Sequence, residues 1–206
     1  MSQQEVSNES KPGDIMPPAR HWQRETRMLD IQNCSLVVID VQGKLAQLMY
    51  GKEDLFKNVQ ILIKAAKILG IPIIWSQQSP KALGETVPEI SQLLADNEPI
   101  DKMSFSCCGD EKFNSKLNVL NRRQLLLCGI EAHVCIYQTA VDLLAKGMDV
   151  NVIADAVSSR TLENKQIALE KMKAEGLNVS SVEMVLFELL RTAEHPQFKQ
   201  IAKLIK

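Results

Sequence analysis

The sequence contains 206 residues, of which 24 are Lys or Arg and 25 are Asp or Glu, giving a net charge of −1. A chain of this length favours one compact domain, because folding removes about 70% of its surface from water. The balanced charge provides no field that would attract a nucleic-acid backbone or an anionic membrane surface, so we expect a small-molecule substrate and neither of those partners.

The cysteines and the N-terminal residues indicate the compartment. Five cysteines, two of them adjacent at Cys107 and Cys108, are untypical of a disulfide framework and favour reduced thiols. Residues 1–27 contain several prolines but no apolar stretch typical of a secretory signal, and no run in the chain approaches the roughly 20 apolar residues that span a bilayer. We therefore predict a cytoplasmic protein with a flexible tail over residues 1–27 and one domain over residues 28–206.

Strand and helix patterns alternate along this domain. Residues 34–40 form a continuous apolar run that predicts a strand, and residues 54–69 have apolar side chains at helical spacing up to Gly70, which predicts the end of a helix. The alternation continues with predicted strands at 71–76, 101–105, 124–128, 149–154 and near Val179, and predicted helices at 87–95, 111–120, 134–146, 163–175 and 196–206. Strands that are apolar throughout need cover on both faces, so we predict an α/β fold of three layers, α/β/α, around a mostly parallel sheet.

Three predicted strand ends carry reactive side chains, Asp40, Lys102 and Cys135. Ligands of open parallel sheets bind at the carboxyl ends of the strands, so we expect these side chains to share one edge. Cys135 lies in the first turn of a predicted helix, where the helix dipole favours a thiolate nucleophile; otherwise it is a small buried hydrophobic residue. Asp40 is either an N-cap or a functional carboxylate, and Lys102 alone is typical of a surface ion pair.

Together the three side chains form a chemical unit. A cysteine nucleophile needs a base to take its proton, and a carboxylate beside a lysine can be that base. Asp40 would accept the thiol proton and later return it to the leaving amine. Lys102 would hold the carboxylate ionised.

Motifs around these residues resemble the isochorismatase-like cysteine hydrolases, a superfamily that includes nicotinamidases and N-carbamoylsarcosine amidases. The resemblance begins near Leu29, reaches the C-terminus, and is carried by LVVIDVQ (36–42), SPKALGETVPE (79–89), DKMSFSC (101–107), CGIEAHVCIYQTAVDLL (128–144) and DAVSSR (155–160). The chain is most similar to the isochorismatase domain-containing hydrolases. The resemblance implies an isochorismatase-like fold of Rossmann-like topology and a catalytic triad of Asp40, Lys102 and Cys135.

The resemblance implies further features of the site. We expect a cis peptide bond between Ile130 and Glu131, and an oxyanion hole formed by the backbone N–H groups of Glu131 and Cys135. The implied hydrolase uses no cofactor, and its relatives associate, so we expect a homo-oligomer. Arg160 could contact a substrate carboxylate or brace a subunit interface, and we favour the interface.

The chain departs from nicotinamidases at their metal site, which uses one Asp and two His between the first two triad residues. No His lies between Trp22 and Glu131, so we expect no bound metal. Neutral side chains in that segment could bind an amide or carbonyl group, or could simply end a strand. Residues two apart at a helix start do not face each other, so His133 is not expected to pair with Cys135. The predicted substrate pocket contains Gln42, Trp75, Gln77, Gln78 and His133.

We therefore predict an amidase-like cysteine hydrolase that acts on C–N bonds through a thioester acyl-enzyme. True isochorismatases cleave a vinyl ether and lack the cysteine nucleophile, so Cys135 favours an amide or related acyl substrate. Two alternatives stay open at this point. One is a non-catalytic or regulatory oligomeric member of the family, and the other is a thiol redox enzyme, since a reactive cysteine is also oxidisable.

Overall fold

The computed structural model describes residues 28–206, and the predicted tail, residues 1–27, lies outside the described residues. A six-stranded sheet, parallel throughout, forms the centre of the domain in the order β3-β2-β1-β4-β5-β6. The strands are β1 (Cys34–Ile39), β2 (Ile73–Gln78), β3 (Ile100–Lys102), β4 (Gln124–Ile130), β5 (Asp149–Ser158) and β6 (Asn178–Ser180). Helices flank the sheet, which confirms the predicted α/β fold.

Helices cover both faces of the sheet. They are α1 (Gly43–Gln47), α2 (Lys52–Leu69), α3 (Pro80–Leu83), α4 (Pro88–Ser91), α5 (Glu111–Leu120), α6 (Tyr137–Ala145), α7 (Leu162–Ala174), α8 (Val182–Leu190) and α9 (Phe198–Leu204). Apolar side chains of α2, α8 and α9 pack on one face, and those of α5, α6 and α7 pack on the other. The sheet is therefore the middle layer of three.

Strand β1 shows why the apolar runs form this sheet. Its side chains alternate between the faces, so Leu36 and Val38 join the core under α2 while Val37 and Ile39 join the core under α6. All six of its residues are buried. A continuous apolar run satisfies both cores at once, whereas an alternating polar pattern would bury polar groups on one side.

Two differences from the sequence prediction concern β2 and α8. Strand β2 begins and ends two residues later than predicted, which places Gln77 and Gln78 within the strand instead of in the loop after it. Helix α8 was not predicted, because its nine residues, VEMVLFELL, are almost continuously apolar and such a run has no clear helical period. The Ser181 side chain caps this helix by accepting a hydrogen bond from the Met184 N–H.

The chain enters the domain at the amino-terminal edge of the sheet. The Leu29 N–H donates to the Glu188 carboxylate at 2.7 Å, and the Arg191 guanidinium donates to the Leu29 carbonyl at 2.6 Å. The Asp30 N–H donates to the side chain of Gln124, the first residue of β4. These bonds fix the entry point against the C-terminal end of α8.

The strand order reverses between β1 and β4, and the region above the carboxyl ends of these two strands is here called the crevice. After β1 the chain adds β2 and β3 on one side, and it then crosses over to add β4, β5 and β6 on the other. In sheets of this kind the helices on either side of such a reversal diverge and leave room for a ligand. Asp40 follows β1 and Cys135 follows β4, so both lie at this point.

Gly129 allows β1 and β4 to approach closely beside the crevice. Its φ is +119°, and a Cβ atom at this position would lie 2.0 Å from the carbonyl oxygen of Ile39. Gly129 pairs with Ile39 in the sheet, and Ile39 immediately precedes Asp40. Only glycine fits both the backbone conformation and the close contact.

Within residues 28–206, none of the helices combines the length and the apolar character that crossing a bilayer requires.

We expect Gly129→Ala to lower the free energy of unfolding by about 3 kcal/mol or more, because it adds a clash with β1 to an unfavourable φ. The control is Gly176→Ala, which has a φ of +83° but meets no atom within 4 Å. Its cost is expected to be about 1 to 2 kcal/mol, from backbone conformation alone. Urea unfolding of the two variants measures the difference, and equal losses would contradict the role of the close contact.

Candidate active site

Asp40 begins the turn that follows β1, and its carboxylate is buried at the crevice. Its φ of 54° lies in the left-handed region, and its N–H donates to the Ser76 carbonyl at 3.2 Å. One carboxylate oxygen, Oδ2, lies 2.7 Å from Lys102 Nζ. The other, Oδ1, accepts a hydrogen bond from the Ser76 hydroxyl at 2.9 Å. The carboxylate is thus held at both oxygens.

Lys102 is the last residue of β3, and its ammonium group is fully buried. A buried ammonium is costly unless its protons are satisfied. Besides Asp40, Lys102 Nζ donates to Gln78 Oε1 at 2.8 Å and to the backbone carbonyls of Ser104 at 3.2 Å and Phe105 at 3.1 Å. The loop after β3 therefore surrounds the charge. Lys102 alone was typical of a surface ion pair, but in the structure it forms a buried ion pair with Asp40.

Cys135 lies in a π-helical turn, Ala132–Ile136, that joins β4 to α6. Only 7% of the residue is exposed. Burial and, to a smaller extent, the charge of Asp40 raise the pKa of its thiol to about 12, while Lys102 opposes the rise. The thiolate that the helix position suggested is therefore not the resting form, because burial and a neighbouring carboxylate outweigh the helix dipole.

The turn before Cys135 is held by an ion pair inside the chain. The peptide bond between Ile130 and Glu131 is cis, at the position that the family resemblance implies. The Glu131 carboxylate accepts hydrogen bonds from the Arg160 backbone N–H and from Arg160 Nε, both at 3.1 Å. Arg160 thus braces the cysteine turn, which the sequence did not indicate.

Two of the predicted pocket residues support the site instead of facing open space. Gln42 is fully buried, accepts a hydrogen bond from the Gln78 N–H at 2.6 Å and donates to the Gly84 carbonyl at 2.7 Å. Gln78 accepts from Lys102, as described above, and donates to the Met103 carbonyl at 2.9 Å. Gln42 and Gln78 therefore connect the ends of β1, β2 and β3.

Two other predicted pocket residues lie on the opposite face of the sheet. Trp75 and Gln77 alternate with Ser76 along β2, and Trp75 packs in the core under α2, whereas Cys135 belongs to the core under α6. Trp75 Nε1 donates to the Thr86 hydroxyl at 2.9 Å, and the Gln77 amide lies 2.9 Å from the same oxygen. The strand alternation that directs Ser76 toward Asp40 thus directs both side chains away from the triad.

His133 is half-buried in the cysteine turn and does not pair with the thiol. Its Nδ1 lies 2.9 Å from the Ser159 hydroxyl, in the segment after β5. This agrees with the argument that residues two apart at a helix start do not face each other.

Sequence reasoning missed the contacts of Ser76 and Cys107. The Cys107 thiol is completely buried and donates to Ser76 Oγ at 3.6 Å, and Ser76 in turn donates to Asp40. Ser76 lies in none of the motifs quoted above, and Cys107 ends the DKMSFSC motif, to which the sequence assigned only Lys102. The predicted strand over residues 71–76 already ended at Ser76, and its parallel pairing with β1, in which Ser76 is opposite Ile39, was the signal that could have placed it beside Asp40.

Among residues 28–206, no three His, Cys, Asp or Glu side chains are grouped in a way that could hold a metal ion. The buried Asp40 carboxylate and the buried Lys102 ammonium form an ion pair at the crevice.

Sequence comparison places these residues in a known context. A family model described as the isochorismatase domain matches residues 34–184. The secreted isochorismatase effector Isc1 of Phytophthora sojae is 42% identical over 175 residues, which cover 83% of each chain. Isochorismatase domain-containing protein 2 of Danio rerio is 38% identical over 177 residues, covering 86% of this chain and 89% of the relative.

Structural comparison gives the same fold. The MAR1 ribonuclease of Caenorhabditis elegans superposes with a TM-score of 0.82 at 38% identity, covering 87% of this chain and 92% of that one. The YcaC gene product of Escherichia coli, described as an octameric hydrolase of unknown specificity, gives a TM-score of 0.82 at 23% identity, covering 86% and 89%. Because the E. coli protein is only 23% identical, its similarity supports the fold alone.

We expect Lys102→Met to lower the free energy of unfolding by about 3 to 5 kcal/mol, because it leaves the Asp40 carboxylate buried without its partner. The control is Lys67→Met, which removes an exposed ion pair with Asp96 of 3.0 Å and should cost about 1 kcal/mol or less. Urea unfolding measures both variants. The double variant Asp40→Asn with Lys102→Met should recover part of the loss, and a double variant as unstable as Lys102→Met would contradict this account.

Proposed function

Since the chain belongs to the isochorismatase family and is therefore a hydrolase, we propose that it is a cysteine hydrolase acting on a small amide or related acyl compound through Asp40, Lys102 and Cys135. The observation that carries this proposal is the buried Asp40 carboxylate, which lies 2.7 Å from the Lys102 ammonium and whose charge raises the pKa of the Cys135 thiol. A carboxylate held between a cation and a thiol is placed to move one proton.

The first step forms the acyl-enzyme. Cys135 Sγ attacks the carbonyl carbon while Asp40 takes the thiol proton, so that a negatively charged thiolate does not have to exist before the attack. This suits a thiol whose pKa is raised to about 12, because only a small fraction of it is ionised at neutral pH. The C–N bond then breaks, and Asp40 returns the proton to the leaving nitrogen.

The oxyanion of the tetrahedral intermediate would bind to the backbone N–H groups of Glu131 and Cys135. Among the backbone hydrogen bonds of the turns and loops in residues 28–206, the Glu131 N–H is not a donor, so it is a candidate for this role. The Cys135 N–H is proposed from the family resemblance. The ion pair between Arg160 and Glu131 would hold this part of the turn while charge develops. Such donors contribute about 3 to 4 kcal/mol to the barrier in other acyl-transfer enzymes.

The second step releases the acyl group. Water attacks the thioester, Asp40 accepts a proton from that water, and the C–S bond breaks. The same proton then returns to the sulfur and restores the thiol. Lys102 keeps its contact with Asp40 throughout and stabilises the carboxylate each time it forms. No cofactor is needed for either step.

The identity of the substrate is proposed only as a chemical class. The triad is almost completely buried, which favours a small acyl compound over a polymer. The C. elegans structure carries the name of a ribonuclease, but a net charge of −1 provides little attraction for a phosphate backbone. RNA therefore serves as a comparison substrate in the experiment below.

The raised pKa of Cys135 argues against the thiol redox alternative. Oxidation by peroxide proceeds through the thiolate, so redox cysteines have a low pKa and an exposed sulfur. Cys135 has neither property. The regulatory alternative makes no use of a proton-transfer site, and buried charges with no function would be costly to keep.

We also propose that the protein is a cytoplasmic homo-oligomer, because its cysteines are free thiols and the family that it resembles associates. The E. coli neighbour is described as an octamer. The P. sojae relative is named a secreted effector, which describes that protein. Light scattering coupled to size exclusion should give a multiple of the monomer mass, and a monomer over the whole concentration range would contradict the proposal.

The proposed function is tested by trapping the acyl-enzyme. The protein is incubated with a panel of small amides, with RNA oligonucleotides in parallel, and the mass added to Cys135 is read by peptide mass spectrometry. We expect an amide to add its acyl group to Cys135, and Cys135→Ala to lower turnover of that amide by about 1,000-fold or more. Asp40→Asn should lower it by about 100-fold or more.

Cys108→Ala is the matched control, because it removes a cysteine that has no contact with the triad among the described hydrogen bonds. Its turnover should stay within about threefold of the unaltered protein. Turnover that survives Cys135→Ala, or an acyl group found on another cysteine, would overturn the proposal. Turnover of RNA alone would replace it with a nuclease function.

A further inference from the structure

Two buried side chains next to the proposed triad have no part in the steps above. Ser76, in β2, and Cys107, in the turn before α5, are both completely shielded from solvent. The Cys107 thiol donates to Ser76 Oγ at 3.6 Å, and the Ser76 hydroxyl donates to Asp40 Oδ1 at 2.9 Å. This series of hydrogen bonds, here called the Cys107–Ser76 relay, ends on the carboxylate oxygen that Lys102 does not contact.

The relay fixes the direction of one proton. A serine hydroxyl has a single proton to donate and accepts hydrogen bonds on its oxygen. Because Cys107 donates to that oxygen, the proton of Ser76 is left to point at Asp40. Lys102 holds Oδ2 and Ser76 holds Oδ1, so the plane of the carboxylate is set from both sides.

Cys107 is itself tied to the helix that follows the nucleophile. Its backbone N–H donates to the Thr139 hydroxyl at 2.9 Å, and Thr139 lies on α6, one turn after Cys135. The neighbouring Ser106 hydroxyl donates to the Asp142 carboxylate on the same helix at 2.6 Å. The helix that follows the proposed nucleophile therefore also positions the first member of the relay.

The thiol of Cys107 stays a donor at neutral pH. Burial raises its pKa to about 12, and the Asp40 charge acts in the same direction, so the proton remains on the sulfur. A completely buried thiol is not accessible to a substrate or an oxidant.

We propose that Ser76 and Cys107 are positioning residues, which hold the Asp40 carboxylate in the orientation that takes the proton from Cys135. The inference rests on the proposed function, since it assumes that Asp40 is the base for this cysteine. It adds that the alignment of the base depends on Ser76, and that Cys107 sets the direction in which Ser76 donates.

The experiment uses alkylation of Cys135 by iodoacetamide, which requires no knowledge of the substrate. In this reaction the S–C bond forms, iodide leaves and the thiol proton passes to Asp40. The charged and titratable groups that act on the thiol are Asp40 after β1, Lys102 on β3 and Cys107 before α5. The rate at Cys135 is followed by peptide mass spectrometry between about pH 6 and pH 9.

In the unaltered protein the rate is expected to change little over this range, because the proton is passed within the site. In Ser76→Ala the rate at neutral pH should fall about tenfold or more and should then rise with pH, as for a thiol deprotonated by bulk solvent. Ser76→Thr keeps the hydroxyl and should stay within about threefold of the unaltered rate. A purely structural effect of Ser76→Ala would lower the rate equally at every pH.

Cys107→Ala and Cys107→Ser form a second pair of nearly equal size. The alanine removes the donor and should lower the rate about threefold or more, whereas the serine keeps a donor and should lower it less. If thermal unfolding shows that Ser76→Ala does not fold, the two Cys107 variants still test whether the relay positions Asp40.

The outcomes separate the inference from the proposed function. If Asp40→Asn keeps the flat pH profile, Asp40 is not the base and the proposed function fails. If Asp40→Asn loses the flat profile while Ser76→Ala keeps it, the relay alone is refuted. Equal rates in Cys107→Ala and Cys107→Ser would remove Cys107 from the relay.

Discussion

The burial of the Lys102 ammonium beside the Asp40 carboxylate is the constraint on which the rest of the site depends. A charge removed from water needs a full set of partners, and one carboxylate cannot supply them all. The loop after β3 contributes two backbone carbonyls, and Gln78 contributes a third acceptor. Gln42 in turn holds Gln78 in place. The loops at this edge of the sheet are thus shaped by the needs of one cation.

Asp40 and Lys102 also influence the protonation state of Cys135. Burial of Cys135 is the largest effect on its protonation, the Asp40 charge acts in the same direction, and Lys102 offsets only part of it. A cysteine kept as a thiol is protected from oxidation and from metals, both of which act on thiolates. Under the proposed mechanism, the base would then have to be well aligned when the proton moves. Alignment of Asp40 would therefore be more important here than in enzymes whose cysteine rests as a thiolate.

Much of this site could be predicted from the sequence, because its main residues lie at the ends of strands. Asp40 and Cys135 follow strands and Lys102 ends one, and parallel strands bring their carboxyl ends to one edge whatever their order. Ser76, Gln78 and Cys107 could not be assigned, because their roles depend on register: a two-residue error at the end of β2 moved Gln78 out of the strand that aims it at Lys102. The protonation of Cys135 could not be predicted either, since it depends on burial among residues distant in sequence. Helix α8 was missed because nearly continuous apolar residues hide the helical period.

The entry point of the chain has a practical consequence. Leu29 is bound to the end of α8, and Asp30 is bound to the first residue of β4, so residue 28 lies at the amino-terminal edge of the sheet. The triad lies at the other edge, a distance of about 20 Å along the six residues of β1. A surface tether or a reporter dye attached directly ahead of residue 28 would therefore leave from the side remote from Cys135. Immobilised or labelled protein can thus be used for binding measurements while its crevice faces the solution.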